Sequence, residues 1–352
     1  MLLNSDKALS VIIAIFVSVA IAFVSGVLVQ WLLRLAFTFN YHKKLKFGIA
    51  LFGGLCFTAL GYFILIKGLG KSPFMPCEMR EWVDANTSSL LVGIFAGSAI
   101  LSQVLHTFHV NVLRIIVLTG TFALAMAFAG NDLVNFIGVP LAALDSLIDF
   151  LQNGNGDMGA FMMTSLEESA KSPLVYLLLA GVIMIVAMVT SKKAQNVVKT
   201  SVDLSRQDEG EEMFGSSRVA RSIVRFSQNT GDLVSQFIPK SVRSWIDGRF
   251  NKEDAVLADG AAFDEMRAAV NLVLAALLII MGTTFKLPLS TTYVTFMVAM
   301  GASLADRAWS RESAVFRITG VLSVIGGWFI TAGVAFAAAA IVCSIMHFGG
   351  VL

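Results

Sequence analysis

Charge is what this chain has least of. Asp, Glu, Lys and Arg make up 14% of 352 residues against 56% hydrophobic, and mean hydropathy is +0.77. That excludes an ordinary soluble domain and reads as a polytopic membrane protein. The net charge of +2 offers no basic surplus of the kind that recruits nucleic acid, so no nucleic-acid partner is expected. Cysteine is scarce too: Cys56, Cys77 and Cys343 have neither metal-site nor disulfide spacing. No cleavable signal peptide is expected, because the apolar run after Ser10 is too long for a signal core. Catalytic patterns are also missing: there is no glycine-rich phosphate loop, metal-ligand set or acid pair, and Ser290 has no histidine near it in sequence. The expectation is therefore not an enzyme and no cofactor.

Apolar runs dominate what is present. Val11–Leu33, Phe47–Ile66, Ser89–Leu105, Val112–Ala129, Leu174–Thr190, Ala268–Phe285 and Ile318–Met346 are each long enough to reach deep into or across a bilayer. Arg34 ends the first run and is expected to snorkel to the interface. Lys43, Lys44 and Lys46 mark the next loop as cytoplasmic by the positive-inside rule, and Lys192 and Lys193 are placed on the same side. Residues 71–88, with Pro73, Pro76 and Trp82, then form an external loop or short interfacial helix. His106 and His109 are read as interfacial histidines rather than metal ligands, since no third ligand is near in sequence. The fold class expected is all-α: a transmembrane bundle with broken or re-entrant helices, built as membrane helices over 1–190, a cytoplasmic polar region over 191–265 and membrane helices over 266–352. In the polar region Val219, Ile223, Phe226, Leu233, Phe237, Ile238, Trp245 and Ile246 recur at roughly helical spacing beside Arg218, Arg221, Arg225, Lys240 and Arg243. This fits a basic amphipathic helix on the cytoplasmic membrane face or docked under the bundle, or else a solvated linker.

Two polar interruptions stand out. In the first, Gly130-Asn131-Asp132-Leu133-Val134-Asn135 puts two amides and a carboxylate between apolar runs, with Gly138 and Pro140 close behind. An Asp at the centre of a membrane helix costs roughly 2.5–3.5 kcal/mol on insertion scales. Either these residues line an ion or substrate site where Gly130 and Gly138 let the helix break, or they form a loop between two spans. The second is Lys286-Leu287-Pro288-Leu289-Ser290-Thr291-Thr292. Pro288 ends one helix by disfavouring helix at the residue before it. Ser290, Thr291 and Thr292 then open the next, either as a plain N-cap run or as hydroxyls and N–H groups that hold a tetrahedral oxyanion. Lys286 either attracts that anion or snorkels. Together the two stretches read as a cation-coupled anion site in a secondary transporter.

At these residues the sequence resembles a family. Gly130–Gly138 is similar to the GANDVANAxG signature of the inorganic phosphate transporters (phosphate permeases), and Leu287–Tyr293 to their PVSTTH signature. Ala129-Gly130 reverses the family's Gly-Ala order, Val134 and Phe136 are bulkier than its small residues, and Tyr293 replaces a frequent histidine. The resemblance implies phosphate uptake coupled to Na⁺ or H⁺ across the bacterial inner membrane, with phosphate and lipid as partners. It implies that Asn131, Asp132, Asn135, Ser290, Thr291 and Thr292 bind phosphate and the coupling cation, with Asp132 on the cation. Family members carry each motif twice in inverted repeats, whereas this chain shows one of each. One half of such a transporter is therefore expected, completed by a missing N-terminal half or by a second copy of the chain in a homodimer.

Overall fold

The computed structural model describes residues 5–68, 75–154, 161, 173–207, 215–225, 239–251, 261–285, 287 and 289–349. All regular structure among them is helical. Six helices are long and apolar enough to cross a membrane, or up to seven if a bent pair counts as one.

Helix α1 (Ser5–Phe37) carries Asp6 in its first turn and Arg34 in its last, each at the helix end whose dipole favours it. Helix α2 (His42–Gly61) runs into a π-helical turn over Tyr62–Gly68. A short helix, α3 (Cys77–Ala85), fills the stretch expected as a loop or interfacial helix and leads into α4 (Thr87–Thr107). Helix α5 (Val112–Asn153) starts at Asn111, whose side chain accepts from the Arg114 N–H. Helix α6 (Leu174–Thr190) meets α7 (Lys192–Leu204) at a 65° bend, where Ser191 caps α7 by accepting from the Ala194 N–H. After a helical stretch at 218–225 come α8 (Lys240–Arg249), α9 (Glu265–Thr284), α10 (Thr291–Ala305) and α11 (Arg311–Phe348). Asp264 caps α9 through the Arg267 N–H, and Ser310 caps α11 in a reciprocal capping box with Ser313.

Helices α9 and α10 form the centre. Met266, Ala269, Ala276 and Ile279 of α9, and Val294, Val298 and Met300 of α10, are all buried. Around them α1 packs on α10 and α9, α5 packs on α9, and α2 bridges α4, α5 and α9. Helix α11 lies at the other extreme, with none of its apolar window buried. Its outward Phe329, Val334, Phe336 and Ile345 form a surface fit for lipid or for another membrane helix.

Two expectations are corrected. The break expected between Gly130 and Gly138 is absent: α5 runs through both for 42 residues. Glycine alone costs a helix only about 1 kcal/mol relative to alanine, less than leaving backbone groups unbonded in hydrocarbon. Pro140 has no N–H, so the Phe136 carbonyl lacks its usual helical donor, yet the helix continues. At 1.5 Å per residue α5 is about 63 Å long, twice the ~30 Å of hydrocarbon, so one end must leave the apolar layer unless the helix is steeply inclined. The second correction concerns Arg34, which does not snorkel but is wholly buried between carboxylates.

In the polar region, Ala220, Val224 and Phe250 are buried while Val219, Ile223 and Trp245 stay exposed. Helices at 218–225 and 240–249 stand where the apolar spacing predicts helix. Phe226, Leu233, Phe237 and Ile238 lie outside the described residues.

Candidate functional site at the α9–α10 reversal

The chain reverses between Phe285 and Ser290. The Leu287 N–H bonds to the Gly282 carbonyl at 2.9 Å, closing the C-terminus of α9. Leu289 folds back onto Gly282 so closely that a Cβ there would lie 1.7 Å from Leu289 Cδ2. Lys286 and Pro288 themselves lie outside the described residues. Ser290 is extended (φ −99°, ψ 121°) and occupies the N-cap of α10, as the sequence suggests, but its side chain makes no capping bond. Its hydroxyl is therefore not committed to the helix it begins. Thr291 is buried and Thr292 exposed. The first-turn N–H groups of Thr291, Thr292 and Tyr293 cannot be satisfied inside the helix, and they sit at its positive end.

Next to this N-terminus lies a cavity of about 620 Å³. Thr292 and Thr295 line it from α10, Thr121 and Phe128 from α5, Asn196 and Ser201 from α7, and Trp328 from α11. Tyr293 stacks on Trp328 with ring centres 3.4 Å apart, and Phe296 meets the same indole edge-on at 6.3 Å. This aromatic group fixes the roll of α10 that turns Thr292 and Thr295 toward the cavity. The cavity ties α7, part of the segment expected to be cytoplasmic, to the same helices as the membrane motifs.

The first motif stands further along. Asn131 is half-buried and one turn beyond Phe128 on α5, so it follows a cavity-lining residue on about the same helix face. Counted along its own helix from Val112 it is about 29 Å up, whereas Ser290 is about 22 Å from Ala305 at the other end of α10. Each motif therefore lies several turns from the end of its own helix at Val112 or Ala305. The backbone of Asp132 and Asn135 is helical, and their side chains lie outside the described residues, as does that of Val134. Gly130 is exposed, with open space where a Cβ would sit. His106 and His109 line a separate surface cavity with Lys46 and Gln103. No group of three metal-ligating side chains occurs among the described residues.

The structure also assembles a site that no motif marks. At the basic end, Arg34 forks onto Asp306, with Nε to Oδ1 and Nη2 to Oδ2 both 2.8 Å. Its Nη2 also pairs with Asp264, the cap of α9. Arg267 Nη1 reaches Asp306 Oδ2 at 3.4 Å, and its Nη2 donates to the Ser205 carbonyl. Gln30 Nε2 donates to Asp306 Oδ1 at 2.8 Å. All five side chains are essentially inaccessible to solvent. Phe39 and Phe263 lie under the Arg34 and Arg267 guanidinium groups at 4.2 and 4.5 Å. Two arginines and two aspartates cancel, which makes burial tolerable. Tyr41 borders the cluster; burial first, then Asp264 and Glu265, push its phenol up to about 12. The sequence holds only a faint signal for this cluster: Arg34, Asp264 and Asp306 each stand at the end of an apolar run, where a charge ordinarily faces water.

No family model, characterised protein or solved structure matches the chain.

Proposed function

We propose that this chain is all or part of a phosphate permease, a symporter moving inorganic phosphate with Na⁺ or H⁺ across the bacterial inner membrane. The observation that carries the reading is the α9–α10 reversal, which presents Ser290, Thr291 and Thr292 at the N-terminus of a 15-residue apolar helix. Phosphate needs several donors converging on a tetrahedron and positive potential to offset its charge. First-turn N–H groups, the Ser290 hydroxyl and the helix dipole supply both. Asn131, Asp132 and Asn135, on the neighbouring α5, supply side-chain oxygens and the single negative charge that a coupling cation needs, with Asp132 on the cation. Phosphate and cation then neutralise each other, which lowers the cost of carrying either through hydrocarbon.

The same donors suit sulfate or arsenate, so the substrate is read as an oxyanion with phosphate first. The unburied face of α11 and the open space at Gly130 favour a second copy of the chain, or a further half, against this bundle. A non-transporting membrane half-protein is the reading that remains if transport fails. The test is phosphate uptake by the full chain in proteoliposomes under an inward Na⁺ or H⁺ gradient. Uptake should collapse with Asp132→Asn and with Ser290→Ala, and sulfate and arsenate should compete weakly. Uptake indifferent to both substitutions sinks the proposal.

A further inference from the structure

Helices α1 and α10 touch backbone to backbone at one place only wide enough for glycine. A Cβ on Gly26 would lie 2.5 Å from the Val298 carbonyl oxygen, and one on Gly301 would lie 2.2 Å from that of Phe23. On one side of this crossing the two helices are fastened. Arg34 lies about 12 Å along α1 from Gly26, and Asp306 about 7.5 Å along α10 from Gly301, where the pair meets in the buried charge cluster. On the other side they part. A cavity of about 760 Å³ opens between Leu9, Ile13 and Val17 of α1 and Leu278, Phe285 and Leu289 at the α9–α10 reversal. The two ends differ in chemistry as well as in width. The walls of the cleft are mostly apolar, with Asp6 of α1 the one charged residue among those described there. The cluster is charged, and it can part only if water replaces its ion pairs. Nor is the cluster fully satisfied: Gln30 Oε1 and Arg267 Nε are buried and find no protein partner.

We propose that α1 and α10 are crossed levers pivoting at Gly26 and Gly301. The Arg34–Asp306–Asp264–Arg267 cluster is the latch on the basic arm, and its release swings the Ser290 end of α10 across the apolar cleft. The lever arms set the gain. Ser290 is about 16 Å from Gly301, roughly twice the distance to Asp306, so each ångström of opening at the latch moves the oxyanion-facing helix end by about two. The charged end would open to water as the cleft closes, which is the exchange of access a transporter needs. The inference rests on the transport reading only for the use of the motion, since the motion itself can be observed without substrate.

The experiment is spin-label distance measurement on the full chain in lipid nanodiscs, without phosphate, with the native cysteines replaced by serine. One pair, Leu9→Cys with Leu287→Cys, spans the cleft; the other, Ala36→Cys with Leu304→Cys, spans the latch. In Asp306→Asn the latch distance should lengthen by about 5 Å, one helical turn's rise, while the cleft distance shortens. Asp306→Glu should keep both near their original values. Gln30→Ala, which removes one bond to the same carboxylate and no charge, should give a smaller shift of the same sign and guards against loss of folding in Asp306→Asn. Unchanged distances in the folded variants, or lengthening of both pairs together, would overturn the lever. Uptake lost in Asp132→Asn while the distances still move in opposition would leave the lever standing and bear on the site alone.

Discussion

Gly130 and Gly282 stand close to the two polar stretches and do opposite work. Gly282 lies in the last turn of α9, just before the chain turns back on itself, with Leu289 occupying the space a side chain would need. Gly130 lies in an unbroken helix and faces open space. At 282 the reversal itself brings Leu289 in, whereas nothing within the described residues approaches 130. The contrast also separates the halves of the proposed site: the reversal packs against this chain's own α9, while Gly130 on α5 has open space beside it.

Four substitutions would break or sharpen that contrast. The largest effect is expected away from both motifs. Arg34→Leu strips the shared partner from two buried carboxylates and should cost about 3–5 kcal/mol, read as a lower unfolding midpoint in detergent. Gly282→Ala should come next, destabilising by about 1–3 kcal/mol because Leu289 must move. Gly130→Ala should do the reverse, stabilising the isolated chain by up to about 1 kcal/mol through helix propensity. If Gly130→Ala instead lowers activity or assembly, the open space at 130 is filled by a partner. The smallest structural effect is expected for Thr292→Ala, which is exposed on the cavity wall; its midpoint should stay within about 0.5 kcal/mol of the parent while half-saturation for phosphate rises.

Most of the helices were legible, because runs such as Val11–Leu33 and Ser89–Leu105 are apolar for a membrane's thickness and polar residues bound them. The reversal was legible through Pro288 and the hydroxyl run after it, since proline has a local steric consequence. The Gly130–Gly138 break was not, because glycine permits a break without requiring one. The latch was least legible of all. Gln30 and Arg34 meet Asp306 across more than 270 positions, with separations of 276 and 272. Nothing local distinguishes an arginine that ends a span at the lipid interface from one that ends it inside a charge cluster. The role of α7 was hidden for a related reason: its lysines and hydroxyls read as solvent-facing, yet Asn196 and Ser201 face Thr292 across a cavity.

The central claim is that the α5 motif and the α10 N-terminus serve one site. A double-mutant cycle on phosphate binding tests it most directly, using Asn131→Ala, Thr292→Ala and the double variant in the full chain, each titrated with phosphate in saturating Na⁺. Residues that share a ligand should couple by about 0.5–3 kcal/mol, so the double variant should lose measurably less affinity than the two single losses combined. Losses that simply add, within about 0.5 kcal/mol, would place the two stretches in separate sites and contradict the account.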